Sequence, residues 1–151
     1  MHHQGGCHCG AIAVRYESAA APAETEVRAC QCSFCRKHGS RAVSDSQGKL
    51  TVTIHDAEVV QRYRFGLATA DYFLCGRCGV YVVAVLTDGD GLYGIAIVNA
   101  LDNAEQFTQA SKPADYSAEG EADRRRRRRT RWTPAEIVTK SPSPSSVSPK
   151  A

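Results

Sequence analysis

The chain has 151 residues, 42% of them apolar, enough for one domain with a single core. No apolar run approaches the roughly 20 residues of a membrane span. The start, Met1-His2-His3-Gln4-Gly5-Gly6, lacks the basic opening and apolar stretch of a secretory signal, so a cytoplasmic, reducing setting is expected.

The net charge of +3 hides an asymmetry. Arg124 to Arg129 with Arg131 supply 7 of the 19 basic residues; without them 12 basic residues face 16 acidic ones, a net of −4. A mildly acidic body carries one strongly basic segment, which excludes a protein basic over a whole face.

In chain order, Ala11 to Tyr16 reads as a short strand, with Ile12, Val14 and Tyr16 alternating against Ala13 and Arg15. Leu50 to Ile54 alternates in the same way after the turn signal Gln47-Gly48, and Glu58 to Phe65 is a further candidate. Gly79 to Thr87 is valine-rich and fits a central strand buried on both faces. Asp88-Gly89-Asp90-Gly91 marks a turn, and Leu92 to Val98 the returning arm of a hairpin. Ala100 to Gln109 has room for one helical turn or a short helix. No long stretch keeps a 3.6-residue period.

Past residue 111 the character changes. Ser111 to Asp123 is polar and small, and the arginine run and Trp132-Thr133-Pro134 follow. Ser141 to Ala151 holds five serines and three prolines and reads as disordered. The expected organisation is one folded domain over 1–135 and a Ser/Pro-rich tail over 136–151.

Seven cysteines fall in three tight groups: Cys7 and Cys9; Cys30, Cys32 and Cys35; Cys75 and Cys78. An odd count in a reducing setting points to metal ligation rather than disulfides. Zinc takes thiolate sulfur in a tetrahedron, and cysteines one to two residues apart bite one ion across a tight turn. Glycines follow each knuckle, Gly10 after Cys9 and Gly79 after Cys78, with Gly76 inside the second.

Spacing permits two partitions. In one, Cys7, Cys9, Cys75 and Cys78 close a four-thiolate structural site and Cys30, Cys32 and Cys35 form an open three-thiolate site. In the other, Cys32 and Cys35 join Cys75 and Cys78 in a ribbon. Three protein ligands with one exchangeable position is the pattern of a catalytic zinc. Three thiolates make a weak Lewis acid, better suited to presenting an incoming thiol as a thiolate than to activating water. Arg36, Lys37 and His38 follow the cluster and are candidates to bind substrate carboxylates; facing solvent is their plain alternative. His38 is also the better acid–base candidate, and His8 reads as a spacer between ligands. Phe34 reads as core or pocket wall, while Asp71 and Tyr72 could touch either site or neither.

The stretches Gly6-Cys7-His8-Cys9-Gly10-Ala11, Cys30-Gln31-Cys32-Ser33-Phe34-Cys35-Arg36-Lys37-His38-Gly39 and Phe73-Leu74-Cys75-Gly76-Arg77-Cys78-Gly79 together resemble the glutathione-dependent formaldehyde-activating enzymes, whose domain is shared with centromere protein V. The resemblance runs over residues 5 to about 100 and accounts for all seven cysteines. It implies an all-β, Mss4-like (β-tent) fold of small antiparallel sheets around a structural zinc held by Cys7, Cys9, Cys75 and Cys78. It implies a second, catalytic zinc on Cys30, Cys32 and Cys35. The implied activity is that of a carbon–sulfur lyase, adding glutathione to formaldehyde to give an S-hydroxymethyl adduct.

The alternative is a non-catalytic zinc-stabilised binding module using the arginine segment to contact an acidic partner. That segment reads as a solvated stretch, as a contact for acidic partners or substrate carboxylates, or as packed in the fold with Trp132 as anchor. No aromatics are interleaved with it, so it is not read as a nucleic-acid site. Self-association stays open.

Overall fold

The computed structural model describes residues 1–140; the expected disordered tail from Ser141 lies outside them. Eleven strands and two helices follow one another: β1 (His2–Gly6), β2 (Ile12–Glu17), β3 (Arg28–Cys30), α1 (Ser33–His38), β4 (Ala42–Val43), β5 (Lys49–Ile54), β6 (Val60–Tyr63), β7 (Asp71–Cys75), β8 (Tyr81–Asp88), β9 (Gly91–Ile97), β10 (Lys112–Ala114), α2 (Glu121–Arg131) and β11 (Thr133–Thr139). Two 3₁₀ turns, Val98–Ala100 and Ala104–Gln106, occupy the segment expected to hold a helical turn. No described helix is long and apolar enough to cross a membrane.

The strands expected from alternation form. β2 and β5 pair antiparallel from Ile12 opposite Ile54 to Glu17 opposite Lys49, and their inward residues Ile12, Val14, Tyr16, Leu50, Val52 and Ile54 are buried. β8 lies between β7 and β9, and Tyr81 to Leu86 are buried without a break. Its residues divide between two apolar clusters: Val83 and Val85 pack with β2 and β5 residues, while Tyr81, Ala84 and Leu86 pack with Ile97 and Trp132. A strand lined on both faces must be apolar throughout, which is why it shows no alternation.

The end of the chain departs from the expected pattern. The boundary expected after residue 135 falls inside β11, and β11 joins the two halves of the sheet. Ala135–Thr139 pairs in parallel with Leu50–Ile54, while Thr133 and Pro134 pair antiparallel with β9. β10 likewise pairs in parallel with β3, so the sheet is mixed rather than wholly antiparallel. The polar segment after residue 111 is therefore sheet edge and connector.

The arginine run is a helix. Glu121 and Asp123 lie in the first turn and Arg128, Arg129 and Arg131 in the last, each sign at the helix end that stabilises it. Glu121 and Arg125 form an i,i+4 ion pair at 3.2 Å. Trp132 follows at the C-cap and is 5% exposed among Ala42, Ala70, Tyr81, Ala84, Leu86 and Ile97. The Arg128 guanidinium lies 4.6 Å from its ring centroid. The reading in which the run packs with Trp132 as anchor is the one the fold adopts. Trp132→Ala is expected to lower unfolding free energy by about 3–5 kcal/mol, through lost transfer energy and the cavity left behind; urea denaturation measures this.

Candidate functional site

Three cysteine pairs or clusters become two. The sulfurs of Cys7, Cys9, Cys75 and Cys78 all lie within 4.8 Å of one another, and so do those of Cys30, Cys32 and Cys35. This is the four-plus-three partition, and the alternative ribbon of Cys32 and Cys35 with Cys75 and Cys78 does not form. Cys7 and Cys9 Sγ are 3.7 Å apart, and Cys9 and Cys75 Sγ 3.5 Å. A tetrahedron of sulfurs about 2.3 Å from one zinc has edges of about 3.8 Å, so these atoms fit the ion. None of the seven thiols is in a disulfide.

Each knuckle is built locally. Cys7 N donates to Ile12 O at 2.9 Å, and Ile12 N donates to Cys7 Sγ at 3.2 Å. In the second knuckle Gly79 N donates to Cys75 O at 2.7 Å, with Gly79 at φ 81°, where a side chain would be strained. Gly76 does a different job: its N reaches Val59 O at 2.6 Å, and a Cβ would meet that oxygen at 3.1 Å. Cys7 and Cys75 are fully buried, and burial pushes the Cys7 thiol up to about 12. Burial raises the Cys75 thiol as well, so a metal ion at this cluster would be what turns these two buried thiols into thiolates. Arg77 spans the rim, 3.9 Å from Cys9 Sγ and 2.6 Å from Asp56 Oδ2.

In the second cluster β3 delivers Cys30, and Cys32 is the N-cap of α1, its sulfur accepting from Cys35 N at 3.4 Å. One helical turn then carries Cys35 back toward Cys30. Gly39 ends α1 in the left-handed region at φ 58°. The Cys30 thiol is held well below the ordinary range, chiefly because the Cys35 thiol donates to it; the Cys32 backbone amide and the charge of Arg128 act in the same sense. Cys35 moves the opposite way, raised by Cys30 and by burial. Among the described residues no fourth His, Cys, Asp or Glu joins this cluster.

A cavity of about 330 Å³ opens beside it, in the size range of small-molecule sites. Cys30, Gln31 and Cys32 form one side, Phe65 and Tyr72 another, and Asp115, Tyr116 and Ser117 a third, with Arg124 and Arg128 of α2 completing it. A larger cleft of about 500 Å³ between Ser18–Ala20, Glu24–Glu26 and Ser44–Ser46 is lined by none of the seven cysteines.

The cations that line the cavity are not Arg36, Lys37 and His38. Those three residues are exposed on the last turn of α1 and are not among its walls. His38 packs its ring 4.6 Å from Phe34 and 5.4 Å from Tyr81. Phe34 packs against the second apolar cluster behind the cavity wall, with ring centroids of Phe65 at 5.3 Å and Tyr72 at 5.0 Å. Tyr72 lines the three-cysteine cavity, and its neighbour Asp71 instead pairs with Arg64. Burial raises the Tyr72 hydroxyl to about 12, so it stands as a neutral phenol. His8 is exposed between its two cysteines.

Tyr116 was not singled out by sequence, and the arginine run was read as a contact for substrate carboxylates only as a whole, without Arg124 and Arg128 standing apart. The spacing of Arg124, Arg128 and Trp132 at i, i+4 and i+8 was the one available signal, and it is masked inside a run of identical letters.

Comparison with known proteins places this architecture. Residues 2–116 match the glutathione-dependent formaldehyde-activating enzyme family. A Halomonas elongata protein named "Putative glutathione-dependent formaldehyde-activating enzyme" is 34% identical over 82 residues. That match covers 50% of each chain, so this chain spans about half the length of that relative. The crystal structure of a Rhodobacter sphaeroides protein superposes with a TM-score of 0.57 at 30% identity, covering 73% of this chain and 97% of the other. The fold is all-β and Mss4-like, and the chain belongs to the glutathione-dependent formaldehyde-activating enzyme family.

Proposed function

We propose that the protein is a zinc-dependent carbon–sulfur lyase acting in the direction of thiol addition. It joins a thiol, glutathione by family membership, to a small aldehyde such as formaldehyde in a reducing, cytoplasmic setting. The thiol sulfur forms a bond to the carbonyl carbon, the carbonyl π bond opens, and the thiol proton ends on the new hydroxyl of an S-hydroxymethyl adduct. The observation that carries this reading is the cluster of three thiols, without a fourth protein ligand among the described residues, at the wall of a cavity.

In this reading Cys7, Cys9, Cys75 and Cys78 hold a structural zinc, and Cys30, Cys32 and Cys35 hold a second one. When bound at the three-cysteine cluster, zinc supplies a soft cation that favours the thiolate form of an incoming thiol. Phe65 and Tyr72 keep bulk water from one side of the reacting atoms, and the neutral Tyr72 hydroxyl is a donor for the aldehyde oxygen.

The binding-module alternative loses support from the arginine helix. Arg127 pairs with Glu119, Arg125 and Arg129 face Asp88, and Arg126 pairs with Asp123, so most of the run is neutralised within the chain.

Exchange NMR on glutathione, formaldehyde and the zinc-loaded protein tests the reaction. Interconversion of adduct and free thiol faster than in buffer alone is expected. Exchange at the buffer rate, with two metal equivalents per chain verified, would refute the lyase reading.

A further inference from the structure

Six consecutive arginines on one helix cannot all be surface groups, because 3.6 residues per turn carries them round the axis. Those facing outward find carboxylates, as described above. Arg128 faces inward and has no carboxylate ion pair among the described residues. It is 6% exposed, donates from Nη1 to Thr69 Oγ1 at 2.7 Å and stacks on Trp132. Its Nε is buried with no hydrogen-bond partner.

Arg124, one turn earlier, is partly buried and has only a loose ion pair with a carboxylate. Its Nη2 donates to Tyr116 O at 2.7 Å, and its Nε lies 3.7 Å from Glu119 Oε1, beyond hydrogen-bond reach. That Nε too is a buried atom without a hydrogen bond. Glu119 is committed to Arg127, which it grips with both oxygens at 2.8 and 3.0 Å. Both Arg124 and Arg128 line the cavity that Cys30 and Cys32 also line.

A buried guanidinium with open N–H groups costs free energy unless an anion meets it. The planar fork of arginine matches a carboxylate in geometry and charge. Holding the buried Arg128 by Thr69 and Trp132 and the partly buried Arg124 by the Tyr116 carbonyl pre-organises both for a ligand. We infer that Arg124 and Arg128 form a carboxylate-binding subsite beside the three-cysteine cluster, selecting a substrate that carries a carboxylate near its reacting group. α2 lies beyond residues 2–116, the stretch that matches the family. The subsite's place in catalysis rests on the thiol–aldehyde reading, whereas carboxylate binding is measurable without turnover.

The carboxylate belongs either to the thiol or to the aldehyde, and two ligand pairs separate these sources. Calorimetric titration of the zinc-loaded full-length protein would compare S-methylglutathione with its dimethyl ester, and glyoxylate with methyl glyoxylate. S-methylglutathione keeps its carboxylates but has no free thiol to react. Charge-assisted hydrogen bonds lead us to expect the acid of one pair to bind about tenfold or more tighter than its ester. The pair that shows the preference names the source.

Arg124→Gln and Arg128→Gln should each reduce that preference to near unity. Arg126→Gln, on the exposed side and paired with Asp123, should leave it unchanged. If Arg128→Gln fails to fold by circular dichroism, Arg124→Gln, nearer the surface, decides alone. Equal binding of acid and ester in both pairs, or a full preference surviving in Arg124→Gln, would overturn the subsite. An acid preference without accelerated exchange would leave the subsite standing and remove the proposed reaction instead.

Discussion

Cys78→Ser is expected to release the structural metal and unfold the domain. Cys78 is only partly buried, so serine there introduces no fully buried polar group and the effect reports ligation rather than burial. Structural zinc in small domains is worth about 10–16 kcal/mol of folding free energy. Losing even half of that matches the whole net stability of a typical domain, about 5–15 kcal/mol.

The topology sharpens the expectation. The four-cysteine cluster ties the turn after β1 to the turn after β7, and the apolar cluster containing Cys7, Cys9 and Cys75 also contains Ile12, Ile54 and Phe73. Opening it opens the main core. Metal content by mass spectrometry and thermal melts by circular dichroism measure both parts. A variant that binds one metal fewer yet melts at the wild-type temperature would mean that the site does not hold the fold.

Cys32→Ser is expected to do the reverse: lose the second metal, keep the fold and let thiol exchange fall to the uncatalysed rate. The reason is local. Cys32 has two roles, as a candidate metal ligand and as N-cap of α1 through its sulfur and Cys35 N. Serine is among the preferred N-cap residues, so the helix start survives the change while the soft thiolate ligand is lost. Two remaining thiolates hold an ion less firmly than three. Melting close to wild type, one metal equivalent fewer and exchange at the buffer rate are the joint result. Wild-type exchange would remove the cluster from catalysis, and destabilisation equal to that of Cys78→Ser would contradict a division into structural and catalytic sites.

The residues at the two clusters were largely legible in the sequence because knuckle geometry is local. Cys75-Gly76-Arg77-Cys78-Gly79 needs only its own turn and one positive φ at Gly79 to aim two sulfurs the same way. Likewise Cys32 and Cys35 are brought together by a single helical turn. Alternation in Ile12–Tyr16 and Leu50–Ile54 revealed strands because each has one buried face.

Which knuckles share an ion was a different matter. Spacing left two partitions open; the long-range placement of β1, β2 and β7 sets Cys9 Sγ 3.5 Å from Cys75 Sγ, and no local rule contains that distance. The cavity was the least legible part. Arg36, Lys37 and His38 drew attention by standing next to the ligands in sequence, but α1 leaves them exposed.

Its cations come instead from a run of identical arginines, in which helical periodicity is invisible because every position carries the same letter. Sequence determined the cysteine clusters, the strands β2, β5, β6, β8 and β9, and the charge of the basic segment. The tertiary structure decided which arginines are neutralised at the surface and which two, Arg128 buried and Arg124 partly so, line the cavity beside the three-cysteine cluster, because that depends on how α2 packs through Trp132 against β8 and β9.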